Sequence, residues 1–563
     1  MSTLAVVFAI AAGLHAAENA RLVQERVSIP MRDGIRLSAN VFRQHSVGRS
    51  PVILVRTPYG KGTSLPASYR RLAESGYAVV VQDVRGRYDS EGRFDPLRQE
   101  VNDGDDTLHW LSRQQWCNGR IGMTGGSYVG IVQWKAALSQ NPFLKAIFPV
   151  VSGYDDYRDR FYSTGGALKL GNRLLWMSAN LRARHYRPPS FEFFVRALPL
   201  AEADLAATGQ SVPMFQEALE HPAFDSYWKS TSTKENLDKV KVPVYIVGGW
   251  YDNFVQSDLE AFATLFRKGR NVHALVGPWP HNMSIPFDGD PFGNEKAAPI
   301  QRLQAEWFDW WLKERPPVIR NAPLRIFVMG LNKWRDEQEW PLARAVTTPF
   351  FLSSTKGANS LAGDGALEIR PQPRERTDRY TYDPTNPVPT RGGSVCCNPR
   401  IFPWGPMDQR AIESRRDVLV YSSQPLKRNL EVTGPIQAVL YVATSARDTD
   451  FTVKLVDVHP DGRAINLTDG ILRLRYREGL ERPVLSQPGK VYAIRVDAGV
   501  TSNLFRAGHR IRVEVSSSNF PRFDRNLNTG GPIGHERRGQ PAEQFVFVGK
   551  KYPSAILLPV IRN

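Results

Sequence analysis

The chain has 563 residues, too many for one hydrophobic core, and 42% apolar with 23% charged residues is a globular composition that excludes disordered and fibrous classes. The formal net charge is +17, but the lysines and arginines are scattered with no run of five or more. That pattern argues against nucleic acid and for an acidic substrate or a cell-surface location.

In chain order, Leu4 to Leu14 form an apolar core of signal-peptide length, followed by small residues at Ala16 and Ala17. No Lys or Arg precedes that core, so the alternative is a frayed N-terminal helix. The expectation is an export signal over residues 1–20 and a periplasmic or secreted protein, or a cytoplasmic one if the segment is no signal. No other stretch approaches the ~20 apolar residues of a membrane span, so no stable membrane insertion is expected.

Short apolar runs follow at Pro51–Val55, Tyr77–Val84, "RIGMTGG", Lys145–Val151, Val242–Gly249 and Val272–Gly277, with helical patterns such as "YVGIVQWKAALSQ" between them. Continuous apolar strands alternating with helices predict a parallel α/β sheet buried on both faces. Residues 153–241 break the rhythm with Arg, aromatics and helical periodicity, which predicts a helical insertion. The segment "QRLQAEWFDWWLKE" then aligns Leu303, Trp307, Trp310 and Trp311 on one helical face before the prolines of "RPPVIRNAP" stop it. Beyond that point "VYAIRVD" and "HRIRVEVSSS" alternate with period two, which predicts an antiparallel sandwich or jelly roll. The expected division is therefore α/β over 21–152, a cap over 153–241, α/β again over 242–318 and the jelly roll over 319–563.

The three cysteines are Cys117 and the neighbours Cys396 and Cys397. They exclude a disulfide framework, and no Cys/His cluster has zinc spacing, so no metal or cofactor is expected. Adjacent cysteines bridge only with strain, and Cys396 and Cys397 are expected to be packing residues.

The chemistry centres on "MTGGSYVG". Gly125 and Gly126 permit the sharp strand-to-helix turn that would expose Ser127 as a nucleophile, although a strict G-x-S-x-G elbow wants glycine at 129 and the chain has Val129, with Gly130 one place later. An ordinary glycine turn is the alternative. Asp252 in "GGWYDN" and His281 in "GPWPHN" each follow an apolar strand, so serine, acid and histidine occur in the order of an α/β-hydrolase. Ser394, His273 and His509 lack such a context and read as structural. The N–H of Tyr128 would be one oxyanion donor. Tyr59 in "VRTPYGK" is placed so that its phenol could be the other, although on sequence alone a tyrosine there is more often a packing residue.

Together "RTPYGK", "DVRGRYDSEGRF", "WCNGRIGMTGGSYVG", "GGWYDNF" and "GPWPH" resemble the cocaine esterase and X-prolyl dipeptidyl peptidase family of serine hydrolases. The likeness continues through "DVLVYSSQPL" and "GHRIRVEVSSSNFPRFDRNLNTG" to about Val560. It implies an α/β-hydrolase fold with an inserted helical cap and a C-terminal, galactose-binding-like jelly roll. It also implies Ser127 as nucleophile, His281 as base, Asp252 as its acid, and Tyr59 with the Tyr128 N–H as oxyanion hole, and it accounts for Gly130 as the family's G-x-S-Y-x-G form. The substrates implied are small esters, amides or short peptides, through an acyl-enzyme.

The α-amino ester hydrolases of that family carry a Glu-Asp pair two and three places after the catalytic acid, where this chain has Phe254 and Val255. An apolar pair cannot neutralise an ammonium. Asp155, Asp156 and Asp159 in the cap remain available for an amine, which keeps an X-Pro dipeptidyl peptidase as the alternative to an esterase. A third reading, a carbohydrate- or surface-binding protein with a vestigial hydrolase part, is disfavoured by an intact triad. Phe161, Tyr162 and Trp176 of the cap, with Phe254, are the expected pocket walls, and on composition they favour bulky apolar acyl groups over short charged ones.

Overall fold

Ten strands form the sheet that positions the site. They are β1 (Leu22–Pro30), β2 (Arg36–Gln44), β3 (Ser50–Thr57), β4 (Ala78–Asp83), β5 (Cys117–Gly126), β6 (Leu144–Val150), β7 (Val244–Tyr251), β8 (Val272–Pro280), β9 (Leu324–Val328) and β10 (Lys333–Glu337), in the spatial order 1-2-4-3-5-6-7-8-9-10. The computed structural model describes residues 22–45, 48–96, 98–283, 291–316 and 322–562, so the segment expected to be an export signal and most of the proline stretch at 317–321 lie outside it.

Strands β3 to β9 run parallel, as their unbroken apolar character predicts. Val52, Ile53, Leu54, Val79, Val80, Ile121 and Ile147 are wholly buried because helices cover both faces. The helices bearing on the site are α1 (Ala67–Glu74), α2 (Glu100–Ser112) and α3 (Tyr128–Leu138). α3 is buried almost all round, which only a helix inside the fold can be.

Two features differ from expectation. The sheet begins with an antiparallel pair, β1 on β2 and β2 on β4, and it does not stop at residue 318: β9 pairs in parallel with β8 through Ala274↔Leu324, and β10 folds back on β9. Residues 324–337, assigned from the sequence to the C-terminal part, thus complete the first sheet.

Between β6 and β7 lies the insertion. It comprises a π-helical turn at Asp156–Phe161, then α4 (Leu170–Asn180) and α5 (Pro213–Glu220), with shorter helices at Phe191–Phe194, Ala203–Thr208 and Ser226–Thr231. After β7 comes α6 (Val255–Arg267), and after β8 the tryptophan-rich α7 (Ile300–Lys313). α7 buries Gln304, Trp307, Phe308 and Leu312, a face rotated from the expected one so that Trp310 and Trp311 lie at its margin.

The second sheet is a largely antiparallel assembly of β11 (Ala345–Ser353), β12 (Ala366–Glu368), β13 (Arg376–Tyr382), β14 (Leu419–Ser422), β15 (Leu430–Thr444), β16 (Asp450–Val458), β17 (Ala464–Arg473), β18 (Tyr492–Phe505), β19 (Arg510–Ser516), β20 (Ala542–Val548) and β21 (Ala555–Ile561). Ile511, Val513 and Val515 all face its core, as their spacing predicts. The polar residues between them are also enclosed: Glu514 accepts from Lys454 Nζ at 2.9 Å and Arg512 donates to Glu413 at 2.7 Å.

This sheet grips the insertion. Arg473 is wholly enclosed between Asp450 and Asp524, 2.9 Å from each, while the Leu168 N–H donates to Asp524 at 2.7 Å and the Gly171 N–H to the Pro521 carbonyl at 2.7 Å. Removing one partner of such a buried pair strands the other charge.

Cys396 and Cys397 are joined in a disulfide, where the sequence suggested two packing residues. A sharp local turn that follows Gly393 in the left-handed region, with Cys397 at φ 156°, brings the neighbouring sulfurs together, which a rule about long-range frameworks does not address. His509, expected to be structural, holds Asp457 at 2.8 Å beside His459, and the potential ligand atoms of these three lie within 4.8 Å of one another. No spacing rule finds that set because it joins the β16–β17 hairpin to the connection between β18 and β19, 52 residues after Asp457.

Candidate active site

β5 delivers the chain to Ser127 in a conformation few non-glycine residues adopt, φ 58° and ψ −126°, and α3 starts immediately after it. Such strain persists only where the surroundings impose it. A side chain on Gly125, at φ 133°, would come within 2.2 Å of Val129, and one on Gly130 within 2.5 Å of the Ser152 Cβ. That second contact explains why glycine is needed at 130 and valine is tolerated at 129.

The Ser127 N–H donates to the Val150 carbonyl at 2.9 Å, tying the turn to β6. Tyr128, first residue of α3, presents one of the helix's unused N-terminal amides beside the serine. Its phenol donates to Glu100 at 2.6 Å, and Glu100 pairs at 2.8 Å with the enclosed Arg56 of β3. The residue that aims the amide is thus anchored through a buried ion pair.

Asp252 follows directly on β7 and His281 on β8. His281 Nδ1 lies 2.7 Å from Asp252 Oδ2, and Nε2 lies 2.9 Å from Ser127 Oγ. An ionised carboxylate accepts only, so Nδ1 carries the proton and Nε2 faces the serine hydroxyl as acceptor. The other oxygen of Asp252 accepts from the Phe254 N–H at 3.0 Å, which fixes the carboxylate's rotation. Burial and the charges of Asp252 and Asp159 push nearby Asp258 well above the usual carboxylate range.

Tyr59, 36% exposed, stands at the mouth of the cleft that Ser127 lines. Trp176 Nε1 donates to its oxygen at 3.2 Å, which leaves the phenolic proton free to donate onward. Two backbone alternatives in the same loop are occupied: the Tyr59 N–H donates to Thr57 Oγ1 at 3.1 Å and the Lys61 N–H to Asp83 at 2.6 Å. The phenol remains the second oxyanion donor expected from the sequence. Tyr59→Phe is accordingly expected to lower kcat by about 10²–10³-fold with little change in KM, because the lost bond acts mainly on the tetrahedral state. Steady-state kinetics check this, and a change confined to KM would return Tyr59 to a packing role.

Of the expected walls, Phe161, Trp176 and Phe254 line a recess beside Ser127. Tyr162 does not: it is wholly buried, stacks on Tyr157 with centroids 4.7 Å apart, and donates to the Ala218 carbonyl at 2.6 Å. Two of the cap carboxylates expected to be available for an amine are engaged elsewhere, while the third, Asp159, lines this recess. Asp155 caps the π-helical turn and pairs with Arg158 at 2.6 Å, Asp156 lies between Lys135 at 2.5 Å and Arg160 at 2.7 Å, and Asp159 accepts from the Tyr154 and Asp155 amides and Ser257 Oγ. What sequence reasoning missed is basic: Arg160, Lys169 and Arg173 also line the recess. The signal was there in "ALKLGNRLLW", where Lys169 and Arg173 are four apart in an otherwise apolar helical run.

Residues 33–283 match the X-Pro dipeptidyl-peptidase (S15) family and residues 318–557 match the X-Pro dipeptidyl-peptidase C-terminal non-catalytic domain. Cocaine esterase from Rhodococcus sp. (strain MB1 Bresler) is 40% identical over an alignment covering 96% of this chain and 99% of that one. A putative Xaa-Pro dipeptidyl-peptidase from Bacillus anthracis is 22% identical, covering 82% of this chain and 72% of its own. Among solved structures, an aminopeptidase from a marine sediment Thaumarchaeota archaeon superposes with a TM-score of 0.83 at 28% identity, covering 96% of this chain and 97% of that one. An α-amino acid ester hydrolase also reaches 0.83, at 26% identity with 97% of both chains covered.

Proposed function

Because the chain belongs to the X-Pro dipeptidyl-peptidase (S15) family, to which its likeness to cocaine esterase also assigns it, we propose that it hydrolyses carboxylic esters, and amides more slowly, through an acyl-enzyme on Ser127. The observation that carries this reading is the unbroken line from Asp252 through His281 to Ser127, at 2.7 and 2.9 Å. Ser127 Oγ attacks the carbonyl as its proton passes to His281 Nε2, and Asp252 stabilises the imidazolium that results. The carbonyl oxygen, now an anion, is held by the Tyr128 N–H and the Tyr59 phenol. His281 then protonates the leaving alkoxide, and a water activated by the same nitrogen releases the acid.

In this reading residues 21–152 and 242–318, completed by β9 and β10, carry the chemistry, 153–241 roof the site and the jelly roll braces the roof. No metal or cofactor takes part in any step. Among the described residues no helix is long and apolar enough to cross a membrane. Export by the segment 1–20 belongs to the same proposal, and N-terminal sequencing of protein recovered outside the cytoplasm should find a start beyond Ala17.

The X-Pro dipeptidyl-peptidase reading is favoured by the family match itself. It needs an anionic group for the substrate's N-terminal ammonium; Phe254 and the paired Asp155 and Asp156 do not supply one, and Asp159, which lines the recess, stands there among Arg160, Lys169 and Arg173. A panel of acyl esters, acyl anilides and X-Pro anilides decides the matter. Ester turnover exceeding X-Pro anilide turnover is expected, the reverse ratio selects the peptidase, and failure of Ser127 to label with a fluorophosphonate leaves a binding protein.

A further inference from the structure

Ser127, His281 and Trp176 line two recesses at once. The first is a broad cleft of about 740 Å³ walled by apolar residues such as Leu175, Phe191, Phe194 and Ile401, with Tyr59 at its mouth. The second is narrow, about 40 Å³, and reaches under the cap past Phe161 and Phe254 to Arg160, Lys169 and Arg173. At about 10–15 Å³ per water the second holds roughly three waters, or the last atoms of a short chain.

The narrow recess holds three cations, Arg160, Lys169 and Arg173, against one carboxylate of its own lining, Asp159. Arg160 shares the single carboxylate of Asp156 with Lys135. Half-buried Arg173 donates through Nε to the Arg160 carbonyl at 2.9 Å, and half-buried Lys169 reaches only the carbonyl oxygens of Asp159 at 3.3 Å and Asn253 at 3.5 Å. Among the described residues neither forms an ion pair with a carboxylate. Asp159 is the anion nearest in character, and its Oδ2 already accepts three hydrogen bonds. Withdrawing cations from water without a counter-charge is unfavourable, and here two of them sit beside a nucleophile, where an incoming anion would supply it.

The two recesses divide the substrate between them. An acyl group stays covalently bound through deacylation, whereas the leaving group must depart and water must enter, so the closed recess suits the acyl part and the open cleft the leaving group. We propose that the narrow recess binds a carboxylate on the acyl group through Lys169 and Arg173, so that the substrates are half-esters of short dicarboxylic acids. This rests on the ester-hydrolase reading above. It reverses the expectation, drawn from aromatic composition, that the cap favours bulky apolar acyl groups over short charged ones. Phe161 and Trp176 stack against Arg173, at 5.0 and 6.0 Å, and so hold the guanidinium in place.

A pH signature follows. Lys169 faces Asp159 of the π-helical turn, Arg173 on its own helix, Asp252 and the Asn253 carbonyl after β7, and Arg522 from the second sheet. Burial, offset in part by Asp159, pulls it down to about 8. A lysine lowered in this way is charged below that pH and neutral above it. Asp159, pushed up to about 7 by burial and Asp155, and Arg173, lowered to about 9 by burial and Arg160, titrate on either side of it, so the preference for a carboxylate declines between pH 7 and 9.5 as the recess loses positive and gains negative charge.

The test compares ethanol release from three esters of similar size: monoethyl succinate, ethyl 4-methylpentanoate, which replaces the carboxylate by an isopropyl group, and β-alanine ethyl ester, which carries an ammonium. At pH 7 monoethyl succinate is expected to exceed its isostere by about 10–100-fold in kcat/KM, with the ammonium ester slowest, as a charge-assisted contact implies. Lys169→Met and Arg173→Met should each reduce the succinate-to-isostere ratio by about tenfold, and the Lys169→Met ratio should fall less steeply between pH 7 and 9.5 than the wild-type ratio. A fold defect lowers both rates and leaves their ratio unmoved, so the ratio isolates the anion contact. Equal rates for succinate and isostere, or ratios unchanged in both variants, overturn the anion site while ester hydrolysis stands. No ethanol from any of the three, with no fluorophosphonate label on Ser127, overturns both.

Discussion

Ser127→Ala is expected to reduce kcat/KM on every ester by on the order of 10⁴-fold or more, leaving only what binding and oxyanion stabilisation provide. The fold should survive, because alanine keeps the N–H that bonds to the Val150 carbonyl at 2.9 Å and the carbonyl that accepts from Gly130 and Ile131. The hydroxyl's one hydrogen bond is to His281, so its loss strands no enclosed polar group. Kinetics and a thermal melt on the same preparation separate the two effects. An unmoved melting temperature with turnover within tenfold of wild type would remove Ser127 from the chemistry, whereas a melting temperature lower by many degrees would mean that the strained turn needs the hydroxyl.

The triad was legible because its members sit where strands end. Apolar runs gave β5, β7 and β8, and the residue after each is the one that joins the hydrogen-bonded line: Ser127 after Gly126, Asp252 after Tyr251, His281 after Pro280. Gly130 was less readable, since its purpose is a contact with Ser152, 22 residues away and on the neighbouring strand connection. β1 and β10 escaped for a different reason: edge strands such as "LVQERVSIP" and "KWRDE" are partly solvated and lack the unbroken apolar run that marks an interior strand, while β2 ("RLSANVFRQ") and β9 ("LRIFV") lie inside the sheet but have their apolar runs interrupted by polar residues. The pocket's character was least legible. Aromatics in the cap were counted as walls, yet Tyr162 turned inward to the Ala218 carbonyl while Lys169 and Arg173, unremarked in a helical run, reached the recess. Which face of a cap helix meets the site is decided by the jelly roll that clamps it at Leu168 and Gly171, and nothing local to the helix encodes that choice.

Asp252→Asn tests the acid more sharply than alanine would, because the structure dictates how the amide must sit. The Phe254 N–H donates to Oδ1 at 3.0 Å, and an asparagine that keeps this bond must present its NH₂ where Oδ2 now faces His281 Nδ1 at 2.7 Å. A donor there forces Nδ1 to accept, so the ring proton moves to Nε2, the nitrogen that should take the proton from Ser127. The base is then in the wrong tautomer, and kcat is expected to fall by about 10⁴-fold while substrate binding changes little. Nitrogen-15 shifts of His281 should show the exchanged tautomer directly, and labelling of Ser127 by a fluorophosphonate should slow in parallel with turnover. The carboxylate that could substitute is Asp258, which accepts from the Gly153 N–H at 3.0 Å and which burial and Asp252 push well above the usual carboxylate range. Neutralising residue 252 removes the second of those causes, so a loss smaller than about tenfold would mean that Asp258 ionises and takes over. The double variant with Asp258→Asn would then be the enzyme that shows the full loss.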